Sequence, residues 1–287
     1  GHLRRVHELP ALMTISADIV GVEAGPRLQE VDARWLMAYA AGIGWLKDGV
    51  MAHPMFPVCY EWPLALAIRD KTIPPEARVK AVHATHDLVI HRLPVSGDRL
   101  STTARVVAVE RRKPGAYVVT RFETRDSSGA PVTTTDAGAL YLGVETAGSN
   151  RDLVEPWPGV QPLNAAARWN VEMPVPRGAA HVYTECSRIW NPIHTDRAVA
   201  LAVGLPDIIL HGTATLAMAV SAVVESEAGG DPTHVKRIRC RFGAMVLMPS
   251  TLTVEGVRTT SPEGDAVTFR VLTDYGAPAI RDGVLVL

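Results

Sequence analysis

The stretch from His211 to Glu225, HGTATLAMAVSAVVE, constrains the fold more than any other, because it reads as a helix apolar on nearly every face. A surface helix keeps a polar face toward water, and one without such a face is stable only when other elements surround it. The chain must therefore supply a wall around this helix. The segments that follow are the material for one: Val235 to Leu247, Leu252 to Arg258 and Val267 to Thr273 are alternating or β-branched. Pro249-Ser250, Ser261-Pro262-Glu263-Gly264 and Tyr275-Gly276-Ala277-Pro278 punctuate them as turns. The expected unit is a long helix inside a curved antiparallel sheet.

The first half reads the same way. Val79 to Ile90, Leu100 to Val109, Tyr117 to Thr124 and Val132 to Leu142 form a run of strands with turns at Ser96-Gly97-Asp98, Lys113-Pro114-Gly115 and Asp126-Ser127-Ser128-Gly129. Helical material precedes them, at Val31 to Ala41 and in a shorter, Pro-started segment from Trp62 to Arg69. LPVSGDRLSTTARV and MVLMPSTLTVEGV can be laid over each other with Leu100 opposite Leu252, which points to a duplicated domain. With 287 residues, 47% of them apolar, there is enough chain for two such cores. We expect an α+β architecture with repeats over 1–147 and 177–287, joined by a Pro-, Asn- and Gly-rich connector over 148–176.

Composition removes several classes of function. A net charge of −1 leaves no electrostatic footprint for nucleic acid and no basic face for a membrane. The densest basic run, Arg111-Arg112-Lys113, precedes Pro114-Gly115 and reads as a solvated turn tip. Cys59, Cys186 and Cys240 are too few and too dispersed for a disulfide framework or a zinc site, and a reducing cytoplasm is the expected compartment. No apolar run has membrane-spanning length, and no charged n-region followed by an apolar core marks a signal peptide. His83, His86 and His91 do not form a recognised metal set, and no Gly-rich phosphate loop is present. Neither a metal nor a cofactor is expected.

Chemistry concentrates in YTECSRIWNPIHTDRAVALAVGLPDIILHGTATLA, from Tyr183 to Ala217. Tyr183, Ser187, Asn191, Pro192, Ile193, His194, Asp196, Gly204, His211 and Gly212 stand at spacings that resemble the MaoC-like, or R-specific, enoyl-CoA hydratase family. RFGAMVLMPSTLTVEG, from Arg241 to Gly256, is similar to that family's strand pair after the central helix. MAHPMFPVCYEW and HRLPVSGDRL in the first half resemble its degenerate N-terminal repeat, which lacks the Asn-Pro-x-His motif. The resemblance implies a double hot-dog fold. It also implies reversible hydration or dehydration of a 2-enoyl or 3-hydroxyacyl thioester on CoA or an acyl carrier protein, with no prosthetic group. A homodimer is expected, although pairing of the two halves within one chain would also satisfy the hot-dog interface.

The residues suit that reaction. Neutral imidazole, with an unperturbed pKa of ~6.5, shuttles protons at neutral pH, and His194 is the candidate acid/base. Gly212 opens the buried helix, where a bare backbone N–H can meet a developing oxyanion. Asn191 and Ser187 are candidates to orient the site, and Tyr183, Trp190, Asp196 and His211 to border the substrate. Structural roles compete for several of these. Asp196 suits a helix N-cap for Arg197 to Val203, Asn191 a loop brace, and His211 a partner at the helix start. Tyr183 and Trp190 suit core or pocket wall, and Cys186 a small buried residue.

One departure matters. Five residues before the motif histidine the family carries an Asp that works with it on the catalytic water; here that position is Ile189, preceded by Arg188 in place of glycine. Three outcomes stay open: His194 acts alone, another carboxylate (Asp196, Glu185, Asp48 or Asp70) steps in, or the site binds a thioester without turning it over. The rival functions are a hot-dog thioesterase and a non-catalytic or partner-dependent acyl-thioester-binding subunit.

Overall fold

The computed structural model describes residues 13–47, 51–160 and 168–287. In the first half the elements are β1 (Thr14–Ser16), β2 (Glu23–Glu30), α1 (Ala33–Gly42), α2 (Pro57–Thr72), α3 (Pro75–Arg78), β3 (Ala81–Ile90), β4 (Arg99–Arg112), β5 (Gly115–Arg125), β6 (Pro131–Leu142), β7 (Glu145–Ala147) and β8 (Arg151–Asp152). In the second they are β9 (Trp169–Val175), α4 (Ala179–Ser187), α5 (Arg197–Ala202), α6 (Gly212–Glu227), β10 (Arg237–Phe242), β11 (Ser250–Ser261), β12 (Gly264–Leu272) and β13 (Pro278–Val286). One continuous sheet holds both halves in the order β2-β4-β5-β6-β3-β10-β13-β12-β11-β9, with β8 added beside β4, while β1 and β7 pair separately. The order reads the same outward from the β3–β10 seam in either direction, so the fold is a double hot-dog. Leu100 sits opposite Gln29 of the edge strand and Leu252 opposite Met173, so the two superposed leucines hold equivalent places.

The helix apolar on every face is α6. Leu216, Ala217, Ala219, Val220, Val223 and Val224 are all fully buried, in a cluster that also takes Leu88 and Ile90 from β3 and Ile238 and Cys240 from β10. At about 25 cal/mol per Å² of apolar surface, burial of these chains is what holds the helix against the sheet. The first half's long helix is α2, and it starts at Pro57 rather than at Trp62. Pro57 occupies the first turn, where no N–H is needed, whereas Pro63 lies inside the helix and leaves the Cys59 carbonyl without its usual donor.

Three further segments differ from the sequence reading. The strand expected over Val235 to Leu247 ends at Phe242, although Gly243 and Ala244 still donate to the Ala279 and Pro278 carbonyls, and Gly243 passes so close that a Cβ would lie 2.3 Å from the Pro278 oxygen. The chain then crosses to Leu210, whose N–H donates to the Val246 carbonyl at 2.9 Å. The expected connector contains β9, an edge strand on β11 in which Pro174 is tolerated. β13 was hidden by Arg281-Asp282-Gly283, where Asp282 adopts a positive φ of 50° and the register shifts.

Across the seam, Asp87 of β3 accepts from Arg237 at 2.8 and 2.9 Å and pairs with Arg239 at 3.2 Å on the outer face. Among the described residues no helix is long and apolar enough to cross a membrane.

Candidate active site

The motif folds as a series of capped turns that deliver His194 to the start of α6. α4 ends at Ser187, whose hydroxyl donates to the Tyr183 carbonyl (2.6 Å) and accepts from the Ile189 N–H (3.2 Å). Arg188 takes the left-handed conformation with φ 61° that ends the helix, and its guanidinium lies 4.2 Å over the Trp35 ring. Asn191 accepts from the Ile193 N–H at 3.5 Å, at the start of the single helical turn Pro192–His194. Asp196 then caps α5, accepting from the N–H groups of Ala198 (2.9 Å) and Val199 (3.3 Å).

His194 is 9% exposed, and its Nδ1 lies 2.7 Å from the Ile209 carbonyl. A carbonyl only accepts, so Nδ1 carries the proton and Nε2 keeps its lone pair. Burial lowers the His194 pKa below the usual histidine value, with the Ile209 contact opposing it. The ring is therefore a neutral base at neutral pH. His211 stacks on it with centroids 3.7 Å apart and an interplanar angle of 22°. Desolvation first, and His194 second, push the His211 pKa down to about 2. Tyr183 fixes His211 from the far side at 4.8 Å, Thr184 Oγ1 lies 3.3 Å from its Nε2, and the Tyr183 hydroxyl donates to Thr213 of α6 at 3.0 Å.

Gly212 is the first residue of α6, and a helix's first N–H groups have no partner within the helix. Its bare Cα faces the Phe242 ring: a Cβ there would stand 3.1 Å from Cδ1 and Cε1. The arrangement can therefore hold an oxyanion at Gly212 and move a proton at His194 Nε2.

The sequence candidates thus divide. His194, His211, Gly212 and Tyr183 come together, with Tyr183 buried between Tyr39 and His211. Ser187 is fully buried and spends its hydrogen bonds on backbone, so it braces the turn and does not face substrate. Asp196 is exposed and committed to its cap. Trp190 is 65% exposed and is not core. Cys186 is half-buried, with its Cβ against Gly42. Of the carboxylates weighed as substitutes, Glu185 is exposed on α4, Asp70 pairs with Arg69 and Arg78, and Asp48 lies outside the described residues. Ile189 is buried, and among the described residues the only histidine within 4.0 Å of a carboxylate is His234, beside Asp231. Sequence reasoning missed Phe242, the Ile209 carbonyl and His83, because each depends on which strands and loops meet.

The chain is similar in sequence and fold to known proteins. A MaoC like domain matches residues 160–275, and the FAS1-like, dehydratase domain region matches residues 25–135. The chain belongs to the MaoC-like family. It is 28% identical over 292 residues to the 3-hydroxyacyl-thioester dehydratase Y of Mycobacterium tuberculosis, covering 92% of this chain and 98% of that protein. It is 30% identical over 196 residues to the peroxisomal multifunctional enzyme type 2 of Drosophila melanogaster, covering 67% of this chain but only 31% of that protein's length. The crystal structure of a MaoC-like dehydratase from Phytophthora capsici superposes with a TM-score of 0.80 at 24% identity, covering 94% and 97% of the two chains, which shows the shared fold. The MaoC-like motif of this chain lies in the second half, with His194, His211 and Gly212.

Proposed function

We propose that this MaoC-like chain is a hydro-lyase that adds water to a 2-enoyl thioester of CoA or an acyl carrier protein and catalyses the reverse dehydration. The observation that carries the reading is the pairing of a neutral histidine, its Nε2 unprotonated, with the open N-terminus of α6 at Gly212. The names of the hydratase and dehydratase relatives support the same reaction class.

In the hydration direction, His194 Nε2 takes a proton from water as its oxygen bonds to C3. The C2–C3 π electrons move toward the thioester carbonyl, whose oxygen gathers negative charge at the Gly212 N–H. The imidazolium then returns a proton to C2, so one water is added and His194 is restored. His211, held neutral, lies flat against the imidazolium in the charged interval. Ile189 removes the second group that would hold the water, so His194 carries both proton transfers.

A second reading has one observation in its favour: no carboxylate stands beside His194 among the described residues, as a binding subunit would tolerate. The ultraviolet absorbance of crotonyl-CoA, read together with free thiol, separates the possibilities. Loss of absorbance with a 3-hydroxyacyl product and no thiol is the expected result. Thiol release would establish a thioesterase. Binding without either signal, and activity gained in Ile189→Asp, would establish the binding subunit.

A further inference from the structure

The first half reaches the site through two histidines that the mechanism above does not use. β3 and β10 run antiparallel with His86 opposite Cys240 and Thr85 opposite Arg241, so the start of β3 lies beside Phe242. The His83 ring packs on Phe242 at 4.4 Å, and His86 meets the edge of His83 at 5.6 Å and 73°. A continuous row therefore runs from Gly212 through Phe242 and His83 to His86, from the oxyanion donor across the seam into the other half.

His83 keeps part of its surface exposed although burial of its ring lowers its pKa to about 4, whereas His86 is 2% exposed and neither of its ring nitrogens has a hydrogen-bond partner among the described residues. A neutral imidazole brings one N–H donor and one lone pair, and burying both unpaired is costly. The strand's other polar groups are satisfied on the outer face: Asp87 by Arg237 and Arg239, and Thr85 by the Tyr117 hydroxyl at 2.7 Å. On the inner face the residues opposite His86 are Ala137 and Cys240, which provide no strong partner. Burial holds the His86 pKa down at about 3, so the ring reads hydrogen bonds and not charge. A partner that arrives with a ligand would satisfy it.

We propose that His83 and His86 form a recognition subsite beside Gly212 for an uncharged hydrogen-bonding group of the substrate, an assignment that rests on the hydratase reading. Two parts of an acyl thioester carry such a group: a hydroxyl or keto oxygen on the acyl chain, and the outer amide of the pantetheine arm, which an N-acetylcysteamine thioester lacks. A plain hydrocarbon chain lying along Phe242 leaves His86 unpaired.

The test compares wild type, His86→Phe, His83→Phe and His86→Gln. Specificity constants are read for hex-2-enoyl-CoA against 5-hydroxyhex-2-enoyl-CoA, and for hex-2-enoyl-pantetheine against the matching N-acetylcysteamine thioester. If the acyl oxygen is read, wild type prefers the hydroxylated substrate by about tenfold, and His86→Phe and His83→Phe erase that ratio. If a pantetheine amide is read, the second ratio behaves in that way. His86→Gln, which keeps a donor and an acceptor, retains part of the preference. Both ratios unchanged in both phenylalanine variants would overturn the proposal. Thermal unfolding checks that each variant folds; should His86→Phe fail to, His83→Phe and His86→Gln decide the outcome on the same ratios. Should wild type turn over none of the four thioesters, the hydratase reading fails separately. Dissociation constants by calorimetry then carry the comparison, with the same ratios expected.

Discussion

α2 and α6 occupy equivalent places in the two halves, and they differ first at their opening residue. α6 starts at Gly212, which offers an N–H and no Cβ; α2 starts at Pro57, which offers no N–H. Their interiors differ as well. α6 buries alanines, valines and Leu216 with one hydroxyl, Thr215, whereas α2 turns Tyr60 and Glu61 inward. The sheet beneath α2 answers with hydroxyls: Tyr60 pairs with Thr133 at 2.8 Å, and Thr135 donates to Glu61 at 2.6 Å. Thr102 pairs with Thr124 at 2.9 Å and accepts from Gln29 at 3.1 Å. The two halves share a scaffold but not a helix start, and under the proposed function only the copy that opens on Gly212 offers an N–H to an oxyanion.

Gly212→Pro, which copies the opening of α2, breaks the comparison most sharply. We expect a loss of about 10²–10³-fold in kcat, the scale of one missing oxyanion donor. Gly212→Ala serves as its control, since it adds the contact with Phe242 but keeps the N–H, and it loses less. Equal losses in the two variants would assign the effect to packing.

Glu61 sharpens the comparison of the two interiors. Burial raises its carboxyl from 4.5 to about 8, against the Thr135 hydrogen bond that lowers it, so the folded protein holds it protonated at neutral pH. The folded state then binds more protons than the unfolded chain between those two values. The Glu61 contribution to stability is accordingly greatest below about 4.5 and is lost as pH rises toward about 8. Denaturant titrations of wild type and Glu61→Gln should show a stability difference that shifts in favour of the variant across that window. A constant difference would mean that Glu61 does not titrate there.

The smallest effect belongs to the loop that delivers His194. Asp196→Ala removes the α5 cap and should cost about 1 kcal/mol of unfolding free energy. An unchanged urea midpoint would show that the cap contributes nothing.

Much of this was legible in the sequence because it follows from local rules. The all-apolar composition of α6, the turn residues between strands and the capping chemistry of Asp196 each act within a few residues. What escaped depends on distant partners. β9 is an edge strand whose Pro174 breaks the pattern, and β13 is interrupted at Asp282-Gly283, where Gly283 lies beneath Phe269. Trp190 stands exposed although its residue type suggests core. His83 meets Phe242 only because β3 pairs with β10, and no local motif announces that.

The central claim is that His194, with no carboxylate beside it among the described residues, moves the protons. Its most direct test is the rate of crotonyl-CoA hydration across pH in wild type and His194→Ala. The account predicts that wild-type kcat/KM rises through a pKa below the usual histidine value of 6.5 and then levels, because burial lowers this group and the neutral form is the base. In His194→Ala the plateau rate falls by about 10²–10⁴-fold and the limb disappears, so the deficit narrows as pH drops below that pKa. An alanine variant that keeps both the rate and the limb would contradict the account and move the base elsewhere in the site.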